Sequence, residues 1–448
     1  LTIKSQLAIN VQTKLNPKIA INMKIVIIGG GFAGINLSLD LAKNKHYEVV
    51  LVDKNNYNFF PPLIYQVATA FLEPSSISYP FRKLFRGKEN LHFRLGELLR
   101  IIPEQNKVIL SNGELDYDAL VLATGAETNF FGMQRVKENA IAMKTLDDAI
   151  EMRNKLLQQM EQATISQDAE DVKKRLTVVI AGGGPTGVEV SGVFAEMRNG
   201  ILRKEYPELA GRGSEIYLVD GGAALLSPMS EQSQKDTYDA LRSMGVIIKL
   251  NTHVKDFVDD TVILGNGETI PTKTLIWAAG VTARIFEGIP TECYGRGKRL
   301  LVDEYNKLNG TSNIYAIGDT SMQLTDPAFP AGHPQVAQVA IQQGKNLARN
   351  FKNMANQRPL EPFSYHDKGS MAIIGRNKAV VDLPKPKLHF KGFIAWCAWL
   401  FIHLVSLITY RNRVRTLYNW MIAYFTNDQS LRMIIKPTQR QTLPDDKI

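Results

Sequence analysis

The chain has 448 residues, 44% hydrophobic and 22% charged, enough for two or three substantial cores and too apolar for a disordered chain. Its formal charge of +9 is uneven: residues 385–448 carry ten Lys and Arg against three Asp, residues 1–23 carry Lys4, Lys14 and Lys18 with no acid, and the middle is near neutral. A basic tail on a neutral body suits an anionic lipid surface rather than a nucleic-acid-binding face, and two cysteines, Cys293 and Cys397, exclude a disulfide framework, a cysteine metal site and dithiol redox chemistry.

Residues 1–23 lack the long apolar run of a secretory signal and read as a dispensable extension, with the first domain beginning near Met23. The β-branched run Lys24-Ile-Val-Ile-Ile then enters Gly29-Gly30-Gly31-Phe32-Ala33-Gly34 and opens a helix. In such a turn the first glycine allows the tight reversal, the second lets backbone N–H groups approach a pyrophosphate, and the third lets helix and strand pack closely. The helix N-terminus holds the anion. The second strand, Tyr47–Asp53, ends on an acid 19 residues after Gly34, near the spacing of about 20 at which a carboxylate meets a ribose.

The proline-broken, aromatic loop 56–66 excludes a central strand there. Strands follow at Leu91–Leu95 and Lys107–Leu110, with Asn112-Gly113 as a hairpin turn, and a buried strand over 117–123 ends on Thr124-Gly125. A helix spans 146–161, and a polar stretch to Lys174 marks a boundary. The first unit's logic then repeats. Leu176-Thr-Val-Val-Ile-Ala enters Gly182-Gly183-Gly184-Pro185-Thr186-Gly187, strand 215–220 ends on Asp220, a helix covers 232–244, and strand 274–280 ends on Gly280. Asp220 lies 33 residues after Gly187, so a segment around 198–212 is looped out. Its carboxylate accepts from a ribose 2′-hydroxyl and repels a 2′-phosphate.

Segments 300–305 and 313–319 are expected to pair as strands and return the chain to the first domain, with Asp319 placed to bond a polyol hydroxyl. A helix then runs through Ala337, Gln338, Ala340 and Gln343, with Pro334 favouring its start. Gln338 and Gln342, four apart, share one face of it. From Phe393 to Tyr410 no residue is charged, but these 18 residues are interrupted by His403, Ser406 and Thr409 and carry Trp396 and Trp399, which suits an interface better than a span. Val414, Leu417, Tyr418, Met421, Ile422 and Phe425 follow at helical spacing behind Arg411, Arg413 and Arg415. This predicts monotopic attachment through an amphipathic helix in the headgroup plane, with a homodimer interface as the competing use of the same face.

These motifs together resemble the two-dinucleotide-binding flavoproteins and, within them, the type II NADH:quinone oxidoreductases, from about Lys24 to Asp428. The most specific are Ala337-Gln338-Val-Ala-Ile-Gln342-Gln343 and Asp367-Lys368-Gly369-Ser370. The resemblance implies an α/β fold of two Rossmann-like domains, the NADH domain (146–298) inserted in the FAD domain (24–145 and 299–352), and a C-terminal region (353–448) with membrane-anchoring helices near 388–427. It places FAD on Gly29, Gly30, Gly31, Phe32, Ala33 and Gly34, with Asp53 and Lys54 near its ribose and the Leu98 backbone near its adenine. Thr124, Gly125, Asp319, Ala337 and Lys368 complete that site, with the helix start at Ala337 stabilising the reduced flavin's charge. NADH falls on Gly182, Gly184, Gly187, Asp220 and Gly280. Glu189 is implied as a catalytic carboxylate with Lys368 as its electrostatic partner, and Gln338 and Gln342 as hydrogen-bond donors to a membrane quinone. Hydride transfer from NADH to FAD, then two electrons to quinone without proton pumping, on the cytoplasmic face of the membrane, is the reaction implied. A reductase of a soluble protein acceptor and a membrane-bound NADH sensor are the alternatives.

Overall fold

A computed structural model describes residues 23–426 and 431–435. The extension read at the N-terminus, up to residue 22, and the tail cations Lys436, Arg440 and Lys447 lie outside the described residues.

The first unit opens with β1 (Met23–Ile28), α1 (Phe32–Leu41), β2 (Tyr47–Asp53), β3 (Leu91–Leu95) and β4 (Ala119–Leu122). The second contains β5 (Ile141–Ala142), α2 (Leu146–Ile165), β6 (Val178–Ala181), α3 (Pro185–Met197), β7 (Ile216–Val219), α4 (Glu231–Ser243), β8 (Val246–Lys249) and β9 (Thr274–Trp277). Then β10 (Ile314–Ala316) and α5 (Ala337–Ala355) return to the first. The sheets are ordered β10-β4-β1-β2-β3 and β5-β9-β6-β7-β8, all parallel. In both, the strand that enters the glycine turn is central, flanked by the acid-bearing strand and by the strand that ends in a small-residue turn. β4, β6 and β9 are buried along their whole length, which is why they read as continuous apolar runs rather than alternating ones.

Several local expectations are corrected. Leu300–Val302 does not pair with β10; it pairs in parallel with Ser321–Gln323, while β10 adds to β4 in the main sheet. The second unit starts before 146, since Ile141 and Ala142 already pair with β9, and it gives out before 298, since Phe286, Ile289 and Cys293 are buried in the first unit's core. The stretch read as a polar boundary holds a helix, Ala169–Leu176, started by the Asp168 side chain. Cys293 is a buried filler, but Cys397 is exposed.

The C-terminal region adds the antiparallel β11 (Ser370–Gly375), β12 (Lys378–Pro384) and β13 (Lys387–Lys391), then α6 (Gly392–Ser406) and α7 (Tyr410–Thr426). It is welded to the second unit where α3 meets β11: a Cβ on Gly192 would lie 1.6 Å from the Ile374 carbonyl oxygen. α6 is 15 residues long, and no helix among the described residues is long and apolar enough to cross a membrane. Its Ala395 and Trp399, both 0% exposed, join the core formed by Leu63, Tyr65 and Ala68.

α7 has its polarity reversed. Its inner face is polar: Asn412 Nδ2 donates to the Ser76 and Ser78 carbonyls at 2.9 and 3.0 Å, and Trp420 Nε1 donates to Gln66 Oε1 at 2.7 Å. Its apolar residues Val414, Leu417, Tyr418, Met421, Ile422 and Phe425 are all exposed, as are Phe393, Ile394, Phe401 and Tyr410. Arg411 is exposed, whereas Arg413 donates to the Leu407 carbonyl and Arg415 to the Ser75 hydroxyl, so two of the three arginines expected on lipid are engaged with the protein.

Trp399→Ala should destabilise the protein by about 3–5 kcal/mol, because truncating a buried indole removes both transfer energy and packing. Phe401→Ala, on the open face of the same helix, should change stability by less than about 0.5 kcal/mol in the same urea titration.

Candidate functional site

Both glycine turns are built on the same close contacts. Gly29 and Gly182 have φ of +103° and +112°, and a Cβ on either would lie 2.4 Å from a carbonyl oxygen of the neighbouring strand's turn, that of Ala123 or Ala278. Only glycine satisfies both demands. A Cβ on Gly34 would lie 1.9 Å from the Gly29 oxygen, and one on Gly187 1.8 Å from the Gly182 oxygen, so each helix start is pressed onto its own turn. Gly31 and Gly184 differ: nothing lies within 4 Å of where their Cβ would be. That open ground, at the N-termini of α1 and α3 with their unpaired N–H groups, fits a pyrophosphate. A side chain at either position would fill the cradle.

The two acids are wired alike. Asp53 accepts from Gly30 N at 2.7 Å and Asn55 N at 2.8 Å; Asp220 accepts from Gly183 N at 2.5 Å and Gly222 N at 2.6 Å. Each thereby fixes its cradle, and two of its roughly four lone-pair directions remain for a ribose. Burial raises the Asp53 carboxyl, with the Asn55 and Gly30 N–H groups and the exposed Lys54 opposing.

The C-terminal edge of the first sheet gathers the other expected groups. Thr124 and Thr320 hydroxyls lie 3.0 Å apart, and Thr320 also donates to the Gly125 carbonyl at 3.0 Å, so the ends of β4 and β10 are clasped together. Gly318 N donates to Gln343 Oε1 at 2.7 Å, and Gln335 Nε2 to the Asp319 carbonyl at 3.1 Å. These bonds aim Asp319, whose carboxylate accepts no hydrogen bond among the described residues; burial raises it, with Lys144 and Arg299 pulling it back. Ala337 is the first residue of α5 behind Val336, so Pro334 lies outside the helix instead of in its first turn. Leu98 is buried, and its carbonyl accepts from Arg284 at 3.2 Å.

Thr320 and Asn58, which donates to the Gly30 carbonyl at 2.7 Å, are site-building residues that the sequence reading passed over, and Gln343 was read only as part of its helix and motif, with no role in the site. Gln343 is 1% exposed, turned about 100° around α5 from its neighbour Gln342. An amide on the apolar side of an amphipathic helix was the available signal. Asn58 offered none, because its partner is 28 residues away.

Glu189 stands in the first turns of α3. Part of its surface is open, but protein crowds the carboxyl, and burial raises it well above the ordinary value against a weaker pull from the Ile373 N–H. The same carboxyl helps to raise the buried Tyr65 hydroxyl, which accepts from Gln66 Nε2 at 2.9 Å. The expected ion pair with Lys368 is not formed: that side chain is exposed, and among the described residues only its backbone N–H is engaged, donating to Gln338 Oε1 at 3.1 Å. Gln338 Nε2 donates to the Gly369 carbonyl at 2.8 Å, while Gln342 exchanges two bonds with the His366 backbone at 2.9 and 3.0 Å. Both amides therefore clamp the 366–369 loop onto α5. Gly280 lies just past β9, against the Phe131 ring.

Because the folded protein holds the Glu189 proton more tightly than the unfolded chain does, stability attributable to this group falls as pH rises above 4.5 and through the raised folded value. Glu189→Gln should therefore melt progressively higher relative to the parent as pH rises from about 4 to about 8. A melting difference that stays constant over that range contradicts the assignment.

Residues 23–344 match the pyridine nucleotide-disulphide oxidoreductase family model, and residues 367–428 match the NDH2 C-terminal domain. The chain is 34% identical over 418 residues to the type II NADH:quinone oxidoreductase NdhA of Mycobacterium tuberculosis, covering 90% of this chain and 87% of that one. It is 30% identical to the mitochondrial internal alternative NAD(P)H-ubiquinone oxidoreductase A1 of Arabidopsis thaliana, over 90% of this chain and 84% of the relative. The fold matches that of NDH2 from Plasmodium falciparum, solved in complex with NADH, with a TM-score of 0.84 at 24% identity over 93% of this chain and all of that one. With the doubled cradle, the clasped strand ends and the C-terminal unit, these likenesses place the chain in the family of type II NADH:quinone oxidoreductases.

Proposed function

We propose that this flavoprotein, attached to one surface of a membrane, oxidises NADH and reduces a membrane quinone without moving protons across the bilayer. The observation that carries the reading is an aromatic run joining the first cradle to the outward apolar helices. Phe32, the first residue of α1, meets Phe60 edge-on at 5.6 Å; Phe60 meets His403 of α6 at 6.1 Å; and His403 stacks on Trp399 at 3.8 Å. The nucleotide site and the lipid-facing unit thus share one core. A large apolar surface outside an inward polar face is what a lipid interface needs and what water penalises.

FAD, held in the first cradle, would supply the two-electron chemistry that links NADH oxidation to quinone reduction. The protein's own groups do the rest. Gly31 and Gly184 leave room for the two pyrophosphates, Asp53 and Asp220 face the riboses, and Asp319 offers its free carboxylate to the flavin's polyol chain. The N-terminus of α5 favours negative charge on the reduced flavin. Asp220, followed by Gly221 and Gly222 rather than a cation, favours NADH over NADPH.

Glu189, protonated where an ordinary glutamate is ionised, holds a proton at its carboxyl for the reduced quinone. Gln338 and Gln342 each use one Nε2 hydrogen on the 366–369 loop and retain the second for a quinone carbonyl. Lys368, exposed on that loop, contributes positive charge near the site without pairing to Glu189.

Substituting Ile394, Phe401 and Phe425 together by serine removes outward apolar surface and no buried contact. The triple variant should lose co-flotation with anionic lipid vesicles while oxidising NADH with a water-soluble quinone within about two-fold of the parent rate, since each exposed residue contributes to lipid transfer alone. Undiminished flotation would show that these helices are not the attachment surface.

A further inference from the structure

Outside the groups already assigned, one exposed side chain combines strain, fixation and position. Phe131 is 61% exposed, yet it is held in the left-handed region at φ +51°, which a bulky aromatic residue rarely adopts. The loop that carries it is firmly tied down. Asn129 Oδ1 accepts from Phe131 N at 2.9 Å, Asn129 N donates to the Gly280 carbonyl at 3.1 Å, and Trp277 Nε1 donates to the Asn129 carbonyl at 2.8 Å. Phe130 fills the space beneath, stacked on Trp277 at 5.8 Å. Phe131 also meets Trp277 edge-on at 6.4 Å, but this contact leaves most of its ring exposed.

The ring tip rests on Gly280, where a Cβ would lie 2.8 Å from Phe131 Cζ. Gly280 follows β9, the strand beside β6, and β6 delivers the second cradle; a Cβ on Gly182 would touch the β9 turn at Ala278. The crevice between these two strand ends is where a parallel sheet receives a dinucleotide. Phe131 stands on its β9 side. The chain reaches it through Glu127–Thr128, which pairs with Val281–Thr282 in the ribbon linking the two units. Phe131 is thus an exposed aromatic resting on Gly280, three residues beyond the ribbon strand Glu127–Thr128.

We propose that Phe131 is a positioning residue for the reduced dinucleotide, stacking against the nucleotide as it crosses from the second cradle toward the first. The inference rests on the reading of Gly182–Gly187 as the NADH cradle. The fixed backbone means that the ring is preorganised, so little side-chain freedom is lost when the nucleotide arrives. Its role differs from that of Asp220, which selects the ribose hydroxyls: Phe131 supplies a flat apolar face to a flat ring.

The test is calorimetric titration of the flavin-loaded full-length enzyme with NAD⁺, alongside steady-state kinetics. Phe131→Ala and Phe131→Leu should each weaken NAD⁺ binding about ten-fold, in the range of one lost aromatic–base stack, and Phe131→Tyr should bind within about two-fold of the parent. KM for NADH should rise in parallel, with kcat at saturating NADH, KM for quinone and flavin content unchanged. Asp220→Ala separates the two claims. If it weakens NAD⁺ binding and Phe131→Ala does not, the stacking role is wrong and the cradle stands. If neither variant weakens binding, the cradle reading fails and the inference falls with it. Equal loss in Phe131→Tyr and Phe131→Ala, or loss of flavin in either, would reassign the residue to holding the ribbon and also overturn the proposal.

Discussion

Everything in this molecule follows from bringing the first turn of a helix down onto the end of its own strand with no room for a methyl group between them. At Gly34 and Gly187 a Cβ would overlap a carbonyl oxygen outright. That contact turns the helix's unpaired N–H groups toward the C-terminal edge of the sheet, and it forces every other ligand-facing group to that edge. The second strands place Asp53 and Asp220 there, and the strands on the other side place Thr124, Asp319 and Gly280 there. Parallel pairing makes this convergence automatic, because all the strand ends of one sense lie together. Each acid also closes its turn by accepting the N–H of Gly30 or Gly183, so the carboxylate that ends the second strand helps to build the cradle.

The second constraint is the reversed polarity of α7. Its inward amides and hydroxyls are satisfied by the backbone around Ser76 and by Gln66, which removes the cost of burying them. Its outward apolar residues have no such compensation in water. Through the Phe32, Phe60 and His403 run, the helices that carry this surface share a core with the first cradle. His403 fits this picture: burial lowers its pKa to about 4, so the imidazole in the core is neutral at physiological pH.

Much of the active centre was readable from the sequence because its signals are local. A strand, a glycine turn and a helix fit within a dozen residues, and the acid that completes the turn ends the next strand. The Asn112-Gly113 hairpin and the looped segment near 198–212 were readable for the same reason. What escaped depends on distant partners. The parallel pairing of Leu300–Val302 with Ser321–Gln323 carries no periodicity of its own. Neither Gln338 nor Gln342 announces that its amide will clamp a loop 24 to 31 residues later. Asn412 and Thr416 drew no reading at all, because their partner is the Ser76 carbonyl, more than 300 residues earlier. The Glu189–Lys368 pairing failed in the same way, since sequence cannot say that one side chain is crowded by protein while the other stays in water.

The most direct test of the account replaces Gly34 and Gly187 separately by alanine in the full-length protein and follows flavin absorbance before and after anaerobic addition of NADH, then of quinone. The geometry predicts that Gly34→Ala loses FAD, whereas Gly187→Ala keeps it but is not reduced by NADH at concentrations that reduce the parent at once; parent flavin, once reduced, is reoxidised by quinone. Retention of FAD by Gly34→Ala, full NADH reduction in Gly187→Ala, or reduced parent flavin that quinone leaves untouched would contradict it.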